Sequence, residues 1–366
     1  MTDAVTLLGF RQVSSLMTAA GFSGENYRAA NRDVDQACPT DVESLEHFIK
    51  YGADEGRNFQ IDLVRGGFTE LWQETCGSPL HNVACAMLRA AVNSSIKQHG
   101  LLTALKQYSA WTELNFRPVI VIGDSHIQAY GPPFARDGFT VVPFVLLCTG
   151  GSALGLGNPK SVSQYGPMIA NTLESLRSSA ELKSIPVLFK FGQVDSEFVI
   201  NFKRARDKVL GFKINDYEAF FEQSTTAYSE YLERVVPEYS RTSVDVVSIF
   251  PPVLSDEAIL NGYFNEDIAQ REGVVREDLK EALRLMTHPD WGTRVKLHAT
   301  YNTLIEKKTS TLGFAFVDDF FPIIAEDGLP RTRFWKRHNG LDHHVVSLPG
   351  ETVFSDILWE RLSLKR

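Results

Sequence analysis

The sequence predicts an α/β fold, namely a three-layer sandwich with a parallel sheet of five strands, preceded by a small all-α domain. Two observations support this prediction. From residue 118 onward, short apolar, β-branched runs alternate with longer segments of helical periodicity, which is typical of parallel strands joined by right-handed helical crossovers. Before that point the pattern is helical, with few β-branched clusters. The predicted domains are therefore residues 1–112, which are helical, and residues 113–366, which are α/β.

Two helices are the clearest features of the N-terminal region. Apolar residues at helical spacing from Leu45 to Tyr51 predict a short amphipathic helix. A longer helix is predicted from Leu80 to Tyr108, because an apolar stripe follows Pro79, a residue that suits a helix start. Gly100 is expected to interrupt this second helix.

Five apolar runs predict the strands. The first, Pro118–Ile122, is too short for a typical helix and resembles a buried strand of a parallel sheet. The other four are expected at Thr140–Leu147, Pro186–Phe191, Ser243–Phe250 and Gly313–Val317. Helices are expected between them at residues 161–182, 217–235, 265–285 and 294–311.

Composition limits the classes of function. Of the 366 residues, 43% are hydrophobic and 22% are charged, as in a globular protein with a sizeable core. The net charge of -8 is spread without a basic stripe, so neither nucleic acid nor an anionic membrane is an expected partner. The four cysteines form no CxxC pair, which indicates neither a disulfide framework nor a zinc site. Without a signal-peptide pattern or a membrane span, a cytoplasmic location is expected.

Small or polar residues follow the first three predicted strands: Gly123-Asp-Ser-His126, Thr149-Gly-Gly-Ser152 and Gly192-Gln-Val-Asp195. The carboxyl ends of parallel strands meet at one sheet edge, where such folds bind ligands. Asp342-His343-His344 adds an acid and two imidazoles near the C-terminus. Together these groups could supply a nucleophile, an oxyanion pocket and a base with its orienting acid. Alternatively, Ser125 could simply cap a helix.

From about Pro118 to its end, the chain resembles the SGNH, or GDSL-like, hydrolase superfamily, in the GDSH variant found among bacterial esterases and acyltransferases of polysaccharide metabolism. The resemblance implies that Ser125 is the nucleophile and that Gly150 or Gly151 donates a backbone N–H to the oxyanion. The Gly192–Asp195 segment corresponds to the family's GxND block. The Asp342–His344 segment corresponds to its DxxH block, which implies a base and its orienting acid.

The chain departs from that family pattern at two places. Val194 replaces the oxyanion asparagine, and Gln193 could substitute only if its amide turned into the pocket. One residue, rather than two, separates Asp342 from His344. His344 is the preferred base because a spacer residue separates it from the aspartate, and His343 is the alternative.

The remaining polar residues near the site have less specific predictions. Asp124 is expected to close the turn beside the serine, whereas His126 could line the pocket or compete as the base. Asp195 is expected to act as a supporting acceptor or a substrate contact. His338, Asp342, His343 and His344 offer metal-ligand atoms, but adjacent histidines rarely face one ion. No metal or other cofactor is therefore expected.

A second resemblance covers Tyr27 to about Phe59. This segment is similar to a short helical module of the pattern NxDV…HYxxxGxxEGR, seen beside glycosyltransferase and other surface-glycan domains in bacteria. Phe48 stands where tyrosine is usual. The resemblance implies a protein partner from glycan biosynthesis. The competing interpretation is a packing module in which His47 is a half-buried helix residue.

The predicted function is that of a serine-dependent carbohydrate esterase or O-acetyltransferase, acting on a bacterial glycan or glycan precursor through an acyl-serine intermediate. Its partners would be the carbohydrate and, for transfer, an acyl donor. One alternative is a catalytically weak SGNH-like domain that binds a glycan or a protein partner. Another is a transferase of a different group on the same fold.

Overall fold

The structure is a computed structural model that describes residues 7–53, 57, 67–78, 81–111, 114–263, 276–335, 340–347 and 352–364. Within these residues the chain forms two compact units. The first comprises the described parts of Met1–Val119 and Gly131–Val145. The second comprises Ile120–Tyr130, Leu146–Ser347 and Thr352–Arg366, again as far as they are described. The domain boundary predicted at residues 112 and 113 lies outside the described residues and stays a prediction.

The first unit begins with helices. They are α1 (Leu7–Ala19), α2 (Gly24–Ala30), α3 (Arg32–Ala37), α4 (Asp41–His47), α5 (Phe68–Thr75), α6 (His81–His99) and α7 (Leu101–Ser109), with a π-helical turn at Phe48–Gly52. Thr40 and Glu43 start α4 with a reciprocal capping box. Gly100 separates α6 from α7, as predicted, whereas Leu80 lies outside the described residues.

The segment that resembles the glycan-associated module contains α2 to α4 and the π-helical turn. His47 is half-buried in this segment, and its Nδ1 lies 3.0 Å from the Tyr27 hydroxyl. Phe59 lies outside the described residues. The position of His47 agrees with the packing interpretation, and the partner implied by the resemblance stays a prediction.

The α/β class is confirmed by a mixed sheet of six strands with the order β2-β3-β1-β4-β5-β6. The strands are β1 (Phe116–Gly123), β2 (Phe134–Arg136), β3 (Phe139–Leu147), β4 (Val187–Lys190), β5 (Val244–Val247) and β6 (Ala315–Val317). β4 pairs in parallel with β1 and with β5, and β5 pairs in parallel with β6. All five predicted strands are present.

The sixth strand, β2, corrects the prediction of a purely parallel, five-stranded sheet. It pairs antiparallel with β3 through a two-residue turn at Asp137-Gly138. Both turn residues have positive φ, 49° and 76°, as a tight hairpin with the twist of a sheet requires. The Asp-Gly signal was present in the sequence, but the three residues of β2 are too few to show a strand pattern.

The helices of the second unit follow β3, β4, β5 and β6. They are α8 (Ala153–Leu156), α9 (Tyr165–Ser178), α10 (Ile200–Arg206), α11 (Ile214–Val235), α12 (Asp256–Leu260), α13 (Arg276–Leu285), α14 (Trp291–Thr311) and α15 (Val353–Leu364). The start of the helix predicted at 265–285 lies outside the described residues. In the part of the chain that the structure describes, no helix has both the length and the apolar character needed to cross a membrane.

Candidate active site

Ser125 lies directly beyond the carboxyl end of β1. The strand is buried from Val119 onward and ends at Gly123, whose Cα pairs with that of Lys190 in β4. A side chain at Gly123 would overlap the carbonyl oxygen of Lys190, so the close approach of the two strands requires glycine here. The chain then turns through Asp124 into a 3-10 helix, Ser125–Tyr130. Ser125 is therefore the first residue of that helix.

His344 and Asp342 lie beside this serine. The Oγ atom of Ser125 is 2.9 Å from Nε2 of His344, and Nδ1 of His344 is 2.6 Å from Oδ1 of Asp342. The same carboxylate oxygen accepts the backbone N–H of His344 at 3.0 Å, which fixes the ring relative to its own backbone. The serine residue is 7% exposed, and the two other side chains are 20% and 15% exposed. A hydroxyl, an imidazole and a carboxylate thus form one continuous line of hydrogen bonds.

His343, the alternative base, makes different contacts. Its Nδ1 is 2.6 Å from the hydroxyl of Tyr263, and its ring meets Phe198 edge to face at 4.9 Å between centroids. Of the two adjacent histidines, His344 is the one that the structure hydrogen-bonds to Ser125.

Asp124 and His126, which flank the serine, form a buried pair. Oδ1 of Asp124 accepts the backbone N–H of His126 at 3.0 Å and lies 2.8 Å from its Nδ1. Nε2 of His126 is 3.2 Å from the backbone carbonyl oxygen of His343. Both side chains are inaccessible to solvent. The second ring nitrogen of His126 therefore bonds to the backbone of the loop at residues 340–347, called the late loop, whereas the serine hydroxyl bonds to His344.

The loop after β3 carries the glycines that were expected to bind an oxyanion. Its first residue, Cys148, donates its backbone N–H to the carbonyl of Gly123 at 2.8 Å, so the loop is attached to the end of β1. The N–H of Gly151 closes a tight turn by donating to the carbonyl of Cys148 at 2.8 Å. Gly150, at the middle of this turn, has φ of 63°. The turn thus uses the N–H of Gly151, and the choice between Gly150 and Gly151 as the oxyanion donor stays a prediction.

Gln193 bonds away from the serine. Its Oε1 accepts the backbone N–H of Phe250 at 2.7 Å, and its Nε2 donates to the Phe250 carbonyl at 3.2 Å and to Glu197 at 2.6 Å. Val194 is buried and offers no side-chain donor. Gln193 therefore does not take the place of the family's asparagine in this arrangement, because its amide bonds to the backbone of Phe250, beyond the end of β5, and to Glu197.

Asp195 bonds to the residues that follow the Thr149–Ser152 loop. Its carboxylate accepts the backbone N–H groups of Ala153 and Leu154, at 2.6 Å and 3.1 Å, and the hydroxyl of Ser224 at 2.9 Å. Burial raises the pKa of Asp195 to about 6, against these hydrogen bonds, which lower it. Asp195 thus acts as a supporting acceptor for the start of α8.

A buried ion pair lies deeper in the same unit. Nζ of Lys190 is 3.0 Å and 2.9 Å from the two carboxylate oxygens of Asp319 and also donates to the carbonyl of Ser248. Asp319 further accepts the hydroxyls of Tyr130 at 2.5 Å and of Ser248 at 2.6 Å. Burial lowers the pKa of Lys190, and the charge of Asp319 opposes that effect. Nothing in the local sequence indicates this pairing.

Sequence reasoning also missed the surroundings of His343. Phe198 and Tyr263 line a cavity of about 50 Å³ together with Leu254, Leu297, Arg294 and His298. Glu197, which lines it as well, has a pKa that burial raises to about 7. The four-residue spacing of Gln193 and Glu197 was a local signal for their own hydrogen bond, because it places two side chains on one face of a helical turn. No local signal indicated the contacts of His343.

Asp342, His343 and His344 are close enough to share a metal ion, with donor atoms within 4.8 Å of one another. The nitrogens of His344 already bond to Asp342 and Ser125, and Nδ1 of His343 bonds to Tyr263. A metal bound to His344 would have to displace Asp342 or Ser125 from its ring nitrogens. His338, the fourth ligand considered from the sequence, lies outside the described residues. The absence of a metal stays a prediction.

Comparisons with known proteins identify no family for this chain. No family model matches it, and no curated protein matches it. Among solved structures, the extracellular lipase from Streptomyces rimosus is similar with 14% identity and a TM-score of 0.35, covering 67% of this chain and 99% of the lipase. Phospholipase A1 from Streptomyces albidoflavus NA297 is similar with 14% identity and a TM-score of 0.29, covering 68% of this chain and 99% of the phospholipase. Because both TM-scores are low, no property of either enzyme is assigned to this chain.

Proposed function

We propose that the protein is a serine hydrolase that cleaves esters through an acyl-serine intermediate. The observation that supports this proposal is the line of hydrogen bonds from Ser125 through His344 to Asp342, with distances of 2.9 Å and 2.6 Å. A serine hydroxyl is a weak nucleophile at neutral pH unless an adjacent base accepts its proton. An imidazole with an ordinary pKa of about 6.5 can accept that proton and return it to a leaving group.

The first half of the reaction acylates the serine. As Oγ of Ser125 bonds to the ester carbonyl carbon, Nε2 of His344 takes the hydroxyl proton and the carbonyl electrons move to oxygen. When the tetrahedral intermediate collapses, the bond to the alcohol breaks and His344 gives the proton to the departing oxygen. Water repeats these steps on the acyl-serine. Asp342 accepts the Nδ1–H of His344, which holds the reactive tautomer and stabilises the imidazolium.

The oxyanion pocket would be made of backbone groups. The proposed donors are the N–H of Ser125, at the start of its 3-10 helix, and the N–H of Gly150 or Gly151. Neither Gln193 nor Val194 adds a side-chain donor, because the first is bonded to Phe250 and the second is apolar. Removal of one oxyanion donor typically lowers the rate by ~10²–10³, so we expect modest turnover.

Replacement of Ser125 tests the proposal. Ser125→Ala should abolish the hydrolysis of p-nitrophenyl acetate and labelling by a fluorophosphonate probe, because both require the same hydroxyl. The matched control is Ser175→Ala on the exposed face of α9, where the hydroxyl bonds only to the backbone of its own helix. Full activity or full labelling in the Ser125 variant would contradict the proposal.

We extend the proposal to esters of carbohydrates, because the GDSH block resembles that of bacterial esterases and acyltransferases of polysaccharide metabolism. Acetate release from acetylated oligosaccharides should exceed release from p-nitrophenyl acetate, in kcat/KM. Addition of a sugar acceptor with an acyl donor separates transfer from hydrolysis, since only a transferase yields the acylated sugar.

A glycan- or partner-binding domain with little catalytic power is the second candidate, which the missing side-chain donor favours. It predicts glycan binding without labelling of Ser125.

A further inference from the structure

The candidate site contains the same three-residue hydrogen-bond arrangement twice. Asp124-Ser125-His126 follows β1, and Asp342-His343-His344 lies on the late loop. In each, Oδ1 of the aspartate accepts the backbone N–H of the histidine two residues later, at 3.0 Å in both cases. The same oxygen is bonded to Nδ1 of that histidine, at 2.8 Å in the first segment and 2.6 Å in the second.

The two segments bond to each other reciprocally. Nε2 of His344 bonds to the hydroxyl of Ser125, the middle residue of the first segment. Nε2 of His126 bonds to the carbonyl oxygen of His343, the middle residue of the second segment. The two rings lie 5.2 Å apart between centroids. His344 thus bonds to the segment that contains His126, and His126 bonds to the segment that contains His344.

The chemistry of the partners distinguishes the two histidines. A hydroxyl can donate, so His344 can be neutral and accept the proton of Ser125. A carbonyl oxygen and a carboxylate can only accept, so both ring nitrogens of His126 have to donate. A ring with two N–H donors is an imidazolium. In addition, Oδ2 of Asp124 is buried and has no hydrogen-bond partner within the described part of the chain, so a neighbouring cation would balance its charge.

We propose that His126 is a positioning residue which, as a buried imidazolium paired with Asp124, holds the His343 carbonyl and thereby keeps His344 on Ser125. The role of His344 in this statement rests on the function proposed above. The protonation state of His126 does not, because it follows from the two acceptors alone.

The surroundings agree with a charged ring. Burial lowers the pKa of His126, but the charge and hydrogen bond of Asp124, together with the charge of Glu197, raise it above its ordinary value, and Lys190 opposes them. The other titratable groups that face the ring are His343, at 5.3 Å between centroids, His344 and His298. His298 is neutral, because burial lowers its pKa to about 3.

This arrangement has a definite pH dependence. Because the pKa of His126 is raised in the folded protein, the N–H bond to the His343 carbonyl is present at lower pH and is lost as pH rises through the folded value. Loss of that bond should release the loop that carries His344. Activity should therefore decline on the alkaline side as the carbonyl of His343 loses its donor.

The first test is the protonation state itself, measured on the full chain labelled with ¹⁵N-histidine. At neutral pH the two ring nitrogens of His126 should both show the shifts of protonated nitrogen. His298 is also buried, and among the described residues its ring has one hydrogen bond, to the Phe250 carbonyl. It is the internal control and should show one protonated nitrogen. One unprotonated nitrogen in His126 at neutral pH would overturn the proposal. The measurement needs no turnover, so it stands apart from the function proposed above.

The second test uses two substitutions. His126→Phe keeps a ring of similar shape without donors, and should lower kcat by up to ~10²-fold with KM nearly unchanged, because misplacement of a catalytic group costs about that much. His126→Gln, whose amide can donate to the His343 carbonyl, should recover part of the loss and also most of the alkaline activity. Unchanged kcat in folded His126→Phe would refute the proposal. So would equal loss in both variants when their unfolding temperatures match the wild type.

Discussion

Two acid–base pairs in the same unit differ in burial and in hydrogen-bond partners, and this difference indicates that one stabilises the fold whereas the other can transfer a proton. Asp319 and Lys190 are fully buried, and the carboxylate accepts the ammonium group and two hydroxyls. Asp342 and His344 are partly exposed, and the outer nitrogen of the imidazole bonds to a serine hydroxyl. In the first pair, the hydrogen bonds to Asp319 stabilise the buried charges. In the second, one proton can pass from oxygen to nitrogen when a substrate arrives.

The largest expected effect concerns the partly exposed pair, Asp342 and His344. Asp342→Asn should lower kcat by about 10⁴-fold, because the amide can donate to Nδ1 of His344 and so favour the wrong tautomer. The unfolding temperature should change little, since the pair is partly solvated. Steady-state kinetics on an activated ester and calorimetry measure both quantities. A large loss of stability with little loss of kcat would show that Asp342 and His344 stabilise the fold rather than support the chemistry.

The buried pair should behave in the opposite way. Lys190→Met leaves the Asp319 carboxylate without its cation, and should lower the free energy of unfolding by about 3–5 kcal/mol. The double variant Lys190→Met with Asp319→Leu should recover much of this loss, because no buried charge is left unpaired. Denaturant unfolding of the single and double variants checks it. If the double variant loses as much as the two single variants summed, the pair is not coupled as described.

Asp195 is an intermediate case and has the smallest effect. It is buried like Asp319, but its partners among the described residues are hydroxyl and amide donors rather than a cation, and burial raises its pKa to about 6. A raised carboxyl pKa means that the folded state binds the proton more tightly, so stability is lost as pH rises from about 4 to about 6. Relative to Asp195→Asn, the wild type should lose up to about 3 kcal/mol of unfolding free energy over that range.

Asp290 provides the control for this pH series. It is exposed and caps α14, and hydrogen bonds from Thr293 hold its pKa below the ordinary value. Its contribution should therefore have the opposite sign, so that stability is lost as pH falls. Equal pH dependence of the wild type and Asp195→Asn would show that Asp195 is not held in a raised-pKa environment.

Local patterns were sufficient for much of the molecule. The apolar run ending at Gly123 predicted a buried strand with Ser125 just beyond it, because strand burial and the glycine turn depend on neighbours in the sequence. The alternation of strands and helices likewise predicted the α/β class. The Asp137-Gly138 pair is a hairpin signal in the sequence too, but no hairpin was predicted there, because β2 is too short to show a strand pattern.

Tertiary structure alone decided which groups meet. Ser125 and His344 are 219 positions apart, and nothing local distinguishes His344 from His343 as the partner of the serine. The bonds of Gln193 to Phe250, and of His126 to the His343 carbonyl, likewise join segments that the sequence keeps apart. The physical reason is that periodicity reports burial along one segment, whereas the direction of a hydrogen bond depends on which segments the sheet brings together.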